Sequence, residues 1–212
     1  FVTASADFEA ACQIGIFPES HRARALHGHS YKASIRLAVD DSENDNFDQL
    51  EVTRELLQDT CGLLDYSYLN EIIDVPTDEN IARYIKEQTG LSNINVIGLT
   101  SQSNEGVHLD EFGAAHVWRR FRFESAHRLP NVPSGHKCGR MHGHGFEVIL
   151  HTQTDLRQSH LGVDYDEIQK HWEELHQLLH HNCLNDISGL ENPTSEMISF
   201  WIWSRLKRKI PQ

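Results

Sequence analysis

The sequence is organised around the stretch Cys138-Gly139-Arg140-Met141-His142-Gly143-His144. In an extended backbone, residues two apart point to the same face, so His142 and His144 would present two imidazoles side by side. Apolar residues continue the alternation at every second position from Phe146 to Leu150, which predicts that the pair opens a β-strand. One rigid element would then offer two ligands to a metal ion. A histidine pair in a solvated loop is the alternative interpretation.

A third ligand must come from elsewhere, since a catalytic zinc site usually has three protein ligands and one open position. His127 is the candidate, because it ends an aromatic and arginine-rich strand predicted over Val117–His127. That strand should pair with the one that carries His142 and His144. Cys138 lies four residues before His142 and is expected near the metal rather than on it. The alternative is that His127 only ends an ordinary strand.

The composition restricts the class of protein. A chain of 212 residues with 39% hydrophobic residues can form one large or two small domains with a buried core. The formal net charge of -12 argues against a general nucleic-acid binder, which needs a basic face. No apolar run has membrane-spanning length, and no secretory signal is visible. The 4 cysteines lack a framework spacing, so we expect free thiols in a cytoplasmic protein.

The central stretch has a counterpart earlier in the chain. His27-Gly28-His29 precedes His142-Gly143-His144 by 115 residues. The same offset relates further short motifs, namely Phe8–Ala11 with Phe123–Ala126, and Leu69–Asn70 with Leu184–Asn185. One fixed offset across several motifs predicts two tandem modules of common ancestry. We place their joint in the polar, glycine-bearing segment Ser103–Gly113, so that the modules span residues 1–113 and 114–212.

Each module is predicted to carry two strands, two helices and a closing strand, in that order. In the second module, apolar residues at helical spacing predict an amphipathic helix over Asp166–His180. Thr194 is expected to cap a further helix, because its hydroxyl oxygen can accept from a free backbone N–H of the first turn. The first module repeats the helices over Leu50–Leu64 and Thr77–Gln88 and adds a closing strand over Ile94–Thr100.

This order of elements predicts the fold class. Strand pairs followed by helix pairs are typical of α+β modules with a small antiparallel sheet. Such a sheet has open edges, which we expect to pair with the sister module or with another chain. The second module reaches Gln212 where its closing strands should begin, so we expect it to lack them here.

The second module resembles a known family. Its motifs are Phe-x-x-Ala-His-Arg-Leu-Pro from Phe123, Gly-His-Lys-Cys-Gly-Arg-x-His-Gly-His from Gly135, and Gly-Leu-Glu-Asn-Pro-Thr-Ser-Glu from Gly189. Together they are similar to the 6-pyruvoyl-tetrahydropterin synthase family, in its 6-carboxy-tetrahydropterin-forming branch. The short gap between Cys138 and His142 favours that branch over the pyruvoyl-forming enzymes. The resemblance is specific in the second module and weak in the first.

The resemblance implies tandem T-fold modules that assemble into a barrel-like homo-oligomer. It implies a zinc enzyme that converts 7,8-dihydroneopterin triphosphate to 6-carboxy-tetrahydropterin, a queuosine precursor, with release of acetaldehyde and triphosphate. Carried over by motif, the zinc ligands are His127, His142 and His144. Cys138 is then the general base or acid at the substrate side chain, and His181 is its catalytic partner.

Elementary chemistry agrees with these roles. Zinc can polarise hydroxyl or carbonyl oxygens as a Lewis acid. A cysteine beside a cation forms thiolate more readily, and histidine exchanges protons near neutral pH. Three basic residues around the site could receive the triphosphate or could be ordinary solvated surface: Arg128, Lys137 and Arg140.

The chain departs from the family pattern in both modules. His180 stands where the family has an aspartate that would orient the catalytic histidine and favour its charged form. In the first module, Ala23 stands in place of Cys138 and Tyr66 in place of His181, so we expect that module to be catalytically silent.

Cys12 takes the position of His127 in the first module. With His27 and His29 it could hold a second zinc, since thiolate and imidazole both suit that ion. The alternative is a scaffold that only retains old histidines.

Two other functions stay open on the sequence. A related zinc enzyme on the same scaffold, such as a pyruvoyl-forming synthase or an aldolase-type variant, would differ in its product. A non-catalytic pterin-binding or assembly protein would bind a pterin without releasing triphosphate. The loss of the aspartate at His180 favours this last interpretation.

Overall fold

The computed structural model describes residues 1–38, 46–154 and 162–210. The chain divides into two compact units, Phe1–Trp118 with Gln153–Gly162, and Arg119–Thr152 with Val163–Gln212. Each unit combines strands with helices, which confirms the α+β class. The sequence repeat places its joint at residue 113, and we keep that position as the proposed boundary between the two modules.

The first unit is built on a mixed sheet. Its strands are β1 (Val2–Cys12), β2 (His27–Leu37), β3 (Ser67–Tyr68), β4 (Ile94–Gln102) and β5 (Glu105–Asp110). They lie in the order β3-β1-β2-β4-β5, with only the short β3 parallel to its neighbour β1. Its helices are α1 (Asn46–Leu64) and α2 (Asp78–Thr89).

Alternation along the strands places the core of the first unit on one face. On β2, Tyr31, Ala33 and Ile35 are buried, while the residues between them are exposed or partly exposed. Burial of such side chains contributes about 25 cal/mol for each Å² of apolar surface removed from water. Thr77 caps α2 by accepting from the Asn80 N–H at 3.3 Å. The predicted strand and helix order of this module is therefore confirmed.

One segment of the first unit differs from the sequence interpretation. We expected Ser103–Gly113 to be a connection, yet its middle forms β5, antiparallel to β4. Val107 and Leu109 on this strand are 0% and 1% exposed. The charged residues at the ends of β5 obscured a short alternating pattern in the sequence. The rest of the segment lies in turns, at residues 103–104 and after Asp110.

The second unit holds most of β6 (Ala115–His127) and most of β7 (His142–Thr154), together with α3 (Tyr165–Leu179) and α4 (Ser195–Leu206). Phe123 of β6 stacks on Phe146 of β7 with ring centroids 4.8 Å apart. Trp172 of α3 stacks on Phe121 of β6 at 4.8 Å, which fixes that helix against the sheet.

The helix starts of the second unit follow the sequence prediction. Thr194 caps α4 by accepting from the Met197 N–H at 3.3 Å, as its position predicts. Asp164 caps α3 in the same way, through the Asp166 N–H at 2.9 Å. Within the three described ranges, no helix combines the length and apolar character that crossing a membrane requires.

Candidate metal centre and active site

Three histidines of the second unit converge on one point. His127 is the last residue of β6, and His142 and His144 begin β7, its neighbour in the sheet. One ring nitrogen from each lies within 4.8 Å of the others. His127 is buried, while the other two are exposed at the strand end. The structure thus brings together the three residues proposed as metal ligands.

Backbone carbonyls orient all three rings. The Nδ1 atoms of His127, His142 and His144 lie 3.2, 2.8 and 3.3 Å from the carbonyl oxygens of Pro193, Arg140 and Gly145, respectively. A carbonyl oxygen can only accept, so each Nδ1 must carry the hydrogen and donate it. In the neutral rings, the lone pair is then left on Nε2, which is the arrangement found in metal-ligating histidines.

These lone pairs meet at close range. The Nε2 atoms of His127 and His144 are 3.1 Å apart, and neither has a hydrogen to donate to the other when both Nδ1 atoms are protonated. Burial lowers the pKa of His127, the Pro193 carbonyl acts against that shift, and the neighbouring histidines add to it. A neutral, ligating imidazole is therefore favoured. This donor set fits a zinc ion.

Gly143 allows the two strands to come this close. A Cβ atom at this position would stand 3.1 Å from the carbonyl oxygen of Ser125 on β6. Gly28 of the first unit has the same relationship to the carbonyl oxygen of Ala10, also at 3.1 Å. Glycine between the two histidines is thus explained by the approach of the neighbouring strand.

Asn185 clamps the residue that follows His127. Its side chain accepts from the Arg128 N–H at 2.9 Å and donates to the Arg128 carbonyl at 2.9 Å. Asn70 holds the backbone of Gln13 in the same two ways in the first unit. This shared clamp gives the repeated Leu-Asn motif a structural role, which the sequence did not reveal.

Cys138 lies in a short 3-10 turn, Lys137–Gly139, before β7. Its carbonyl accepts from the Leu129 N–H at 2.8 Å, and its own N–H donates to Nδ1 of His136 at 3.1 Å. The thiol is partly exposed. Among the described residues, the group of converging ligand atoms around His127 does not include Cys138.

His181 faces the same region from the loop after α3. It adopts a left-handed backbone conformation with φ 56°, which its N–H stabilises by donating to the Glu124 carbonyl at 2.7 Å. Together with His144, Gly143 and Ser125 it lines an open cavity of about 500 Å³. A small substrate could therefore contact His181 and the histidine cluster at once.

Glu124 is a functional candidate that the sequence did not single out. Its carboxylate Oε2 lies 3.4 Å from Nε2 of His181, with both side chains about seven-tenths exposed. The carboxylate can accept a hydrogen bond from this ring and so orient it, which is one role expected of the missing family aspartate. Its position beside Phe123, facing outward on β6, was the available signal.

His180 makes the backbone hydrogen bond that an aspartate makes at the corresponding position of the first unit. Its Nδ1 accepts from the Glu124 N–H at 3.1 Å. In the first unit, Oδ1 of Asp65 accepts from the Glu9 N–H at 2.8 Å, at the positions 115 residues earlier. Partial burial and the neighbouring His181 and His176 lower the pKa of His180, so its Nδ1 can stay an acceptor.

The three basic residues considered for triphosphate binding are exposed: Arg128, Lys137 and Arg140. Their backbones are fixed next to the site by the contacts of Asn185 and by the turn that carries Cys138. Phosphate binding by these three residues stays a proposal.

The first unit repeats the framework with other side chains. Ala23 occupies the turn position of Cys138, and its carbonyl accepts from the Ile14 N–H at 2.8 Å. Tyr66 adopts φ 51° like His181, but its side chain is 86% exposed. Cys12, His27 and His29 form a second group of converging ligand atoms.

A family model described as 6-pyruvoyl tetrahydropterin synthase matches residues 1–95 and again 116–212. A 6-carboxy-5,6,7,8-tetrahydropterin synthase of Synechocystis sp. is 35% identical over 97 residues, which cover 43% of this chain and 74% of the relative. A putative enzyme of the same name from Archaeoglobus fulgidus is 33% identical over 88 residues, 41% of this chain and 71% of the relative.

Two further proteins are similar at lower identity. A dihydroneopterin monophosphate aldolase of Pyrococcus furiosus is 26% identical over 97 residues, 46% of this chain and 79% of the relative. The structure of Caenorhabditis elegans 6-pyruvoyl tetrahydropterin synthase aligns with a TM-score of 0.38 and 20% identity, covering 48% of this chain and 88% of that one.

The family model fits the chain twice, once in each half, and leaves only the segment between residues 95 and 116 unmatched. This agrees with the internal repeat and with the shared framework of the two units. The chain therefore belongs to the 6-pyruvoyl tetrahydropterin synthase family, as two tandem T-fold modules.

Proposed function

We propose that this protein is a zinc-dependent 6-carboxy-5,6,7,8-tetrahydropterin synthase of the queuosine precursor pathway. It would convert 7,8-dihydroneopterin triphosphate and one molecule of water to 6-carboxy-tetrahydropterin, acetaldehyde and triphosphate. The observation that carries the proposal is the convergence of one ring nitrogen from each of three histidines beside a cavity that His181 also lines. The names of two relatives, at 35% and 33% identity, support the same reaction.

The zinc ligands in this proposal are His127, His142 and His144. A bound zinc ion would supply Lewis-acid polarisation of the hydroxyl or carbonyl oxygens on the substrate side chain. The three backbone carbonyls hold the rings in place before any ion binds, so the chain supplies a preformed site.

Cys138 is the proposed general base or acid at the substrate side chain, and His181 its partner. Proton transfers at adjacent carbons need two groups, each able to gain and lose a proton near neutral pH. Glu124 would orient the imidazole of His181 by accepting its hydrogen bond, since its carboxylate stands 3.4 Å away. The cavity between His144 and His181 gives the substrate access to His181.

The first module, residues 1–113, is proposed to be non-catalytic. Ala23 cannot transfer a proton, and Tyr66 offers an exposed phenol in place of the imidazole of His181, which is the more common general base in enzymes. The module would serve as scaffold in a cytoplasmic homo-oligomer with a barrel-like arrangement of sheets.

A product assay tests the reaction. Zinc-loaded protein is incubated with 7,8-dihydroneopterin triphosphate, and the pterin product and acetaldehyde are identified by mass spectrometry. We expect 6-carboxy-tetrahydropterin with acetaldehyde and triphosphate in equal amounts. A pterin that keeps its three-carbon side chain would instead indicate a pyruvoyl-forming enzyme.

The similarity to an aldolase suggests a further possible product of the assay. An aldolase-type cleavage would leave a hydroxymethyl pterin, which differs in mass from the carboxylated product. Binding of the pterin with no chemical change to it, and hence no release of triphosphate, would contradict every enzymatic version of the proposal and support a binding or assembly protein. The Cys138→Ala variant is the control for contaminating activity.

A further inference from the structure

We propose that the first unit binds its own zinc ion through Cys12, His27 and His29, as a structural site distinct in chemistry from the three-histidine centre. The proposal rests on contacts within the first unit and does not depend on the reaction proposed above. Its ligands would be one thiolate sulfur and one ring nitrogen from each histidine.

The pairing of two strands assembles these ligands. Cys12 is the last residue of β1 and lies directly opposite His27, the first residue of β2, while His29 lies opposite Ala10. Sγ of Cys12 is 3.6 Å from Nε2 of His27, and the three candidate ligand atoms lie within 4.8 Å of one another. Cys12 is only 2% exposed.

The ring of His27 is oriented for ligation. Its Nδ1 lies 2.7 Å from the carbonyl oxygen of Ala25, to which it must donate because the carbonyl can only accept. The lone pair is therefore on Nε2 and faces the sulfur of Cys12. His142 has the same relationship to Arg140 in the second unit, at 2.8 Å.

The surroundings favour a cation. The carboxylate of Asp78 accepts from the Ser101 hydroxyl at 2.6 Å and acts electrostatically on both Cys12 and His29. The cationic Arg22 also acts on His29, but its influence is smaller than that of Asp78. Close to Sγ of Cys12 stands the Tyr31 hydroxyl, at 3.7 Å, where it can donate to a thiolate.

The donor set selects the ion and its role. A thiolate with two imidazoles suits zinc, which binds sulfur and nitrogen ligands in structural sites. Ala23 and the outward-facing Tyr66 leave this unit without the proton-transfer pair of the second unit. An ion here would tie the end of β1 to the start of β2, and so stabilise the first unit.

Cobalt substitution tests the site in the full chain. The protein is stripped of metal with a chelator and loaded with Co²⁺, whose bond to a thiolate gives a charge-transfer band in the near ultraviolet that imidazole ligands do not. We expect this band in the wild type. Cys12→Ala should abolish the band and bind one metal ion fewer per chain.

Three further variants make the result specific. Cys12→His restores the histidine of the second unit, so it should keep the metal content but lose the thiolate band. Cys61→Ala, a matched buried cysteine, should keep both the band and the metal content. Cys138→Ala should also keep the band, because that cysteine is proposed to lie beside its metal rather than on it.

The outcomes separate this site from the catalytic proposal. A wild type without the thiolate band, or a band that survives in Cys12→Ala, would overturn the second site. A band lost in Cys138→Ala would place the thiolate ligand in the second unit instead. If the protein fails to turn over any pterin but shows the Cys12-dependent band, the proposed reaction fails while this site stands.

Discussion

The Nε2 atoms of His127 and His144 lie 3.1 Å apart while the Nδ1 atom of each ring donates to a backbone carbonyl. Two lone pairs at this distance repel unless a cation or a proton lies between them. The fold holds them together because β6 and β7 are neighbours and Gly143 allows their close approach. This pair is the strongest indication that the second unit binds a metal ion.

We therefore expect zinc in the purified protein. The double variant His142→Ala with His144→Ala should lose the ion of the second unit, because a single remaining imidazole cannot hold zinc tightly. Elemental analysis measures the metal content per chain. His181→Ala is the matched control and should keep its zinc, since that residue is not among the proposed ligands. Unchanged zinc in the double variant would contradict the assignment.

Cys138→Ala should abolish turnover while zinc stays bound. Loss of a proton-transfer group commonly lowers the rate by about 10²–10⁴-fold. Tyr66→Phe, at the corresponding position to His181 in the first unit, should leave the rate nearly unchanged. Steady-state kinetics with zinc-loaded variants measures both effects. Equal rates for Cys138→Ala and wild type would show that the base has been wrongly assigned.

His180→Asp should fold and keep its zinc, because Asp65 makes the equivalent hydrogen bond in the first unit. His180→Leu, in contrast, removes the acceptor for the Glu124 N–H and should lower the thermal unfolding midpoint. The comparison of the two variants by circular dichroism isolates the hydrogen bond from the loss of the ring. Identical midpoints would argue that solvent replaces this bond without cost.

Glu79→Gln should make the protein more resistant to unfolding at neutral pH. Burial raises the pKa of Glu79 in the folded state, although hydrogen bonds that include the Gly162 N–H act in the opposite direction. A carboxyl group whose pKa is higher in the folded than in the unfolded chain contributes its full stability at pH values below the unfolded-state pKa. That contribution is lost as the pH rises through the folded-state pKa. Glutamine stays uncharged at neutral pH, so the variant does not lose this stability.

The pH dependence distinguishes the cost of burying the Glu79 carboxylate from a stabilising effect of the substitution that is unrelated to charge. The stability gap between Glu79→Gln and wild type should be small near pH 4, where the carboxyl group is protonated, and larger near pH 7. Glu87→Gln changes an exposed carboxylate on the same helix and should show no such gap. Denaturant unfolding at both pH values measures this difference in unfolding free energy. A difference that is the same at both pH values would rule out the burial explanation.

The chain should assemble with copies of itself. The short strand β3 lies at one end of the strand order in the first unit, and an open strand edge favours pairing with another strand. A tandem chain should need half as many copies to close a ring as a single-module relative does. Sedimentation over a range of concentrations measures the assembly, and a stable monomer throughout would contradict the ring.

The sequence by itself determined the repeat, the strand that begins at His142 and the helix starts at Thr77 and Thr194. These features can be predicted from the sequence because strand alternation, helical spacing and helix caps depend on residues only a few positions apart. The family resemblance followed from the same short motifs, and the family model confirmed it in both halves.

Only the tertiary structure decided which groups surround the histidines. The Pro193 carbonyl that orients His127 lies 66 residues further along the chain, and 56 residues separate the Glu124 N–H from His180. Such contacts depend on strand pairing and on how a loop packs against a strand end, for which a sequence carries no periodic signal. For the same reason, Glu124 became a candidate only when the folded chain placed its carboxylate beside His181.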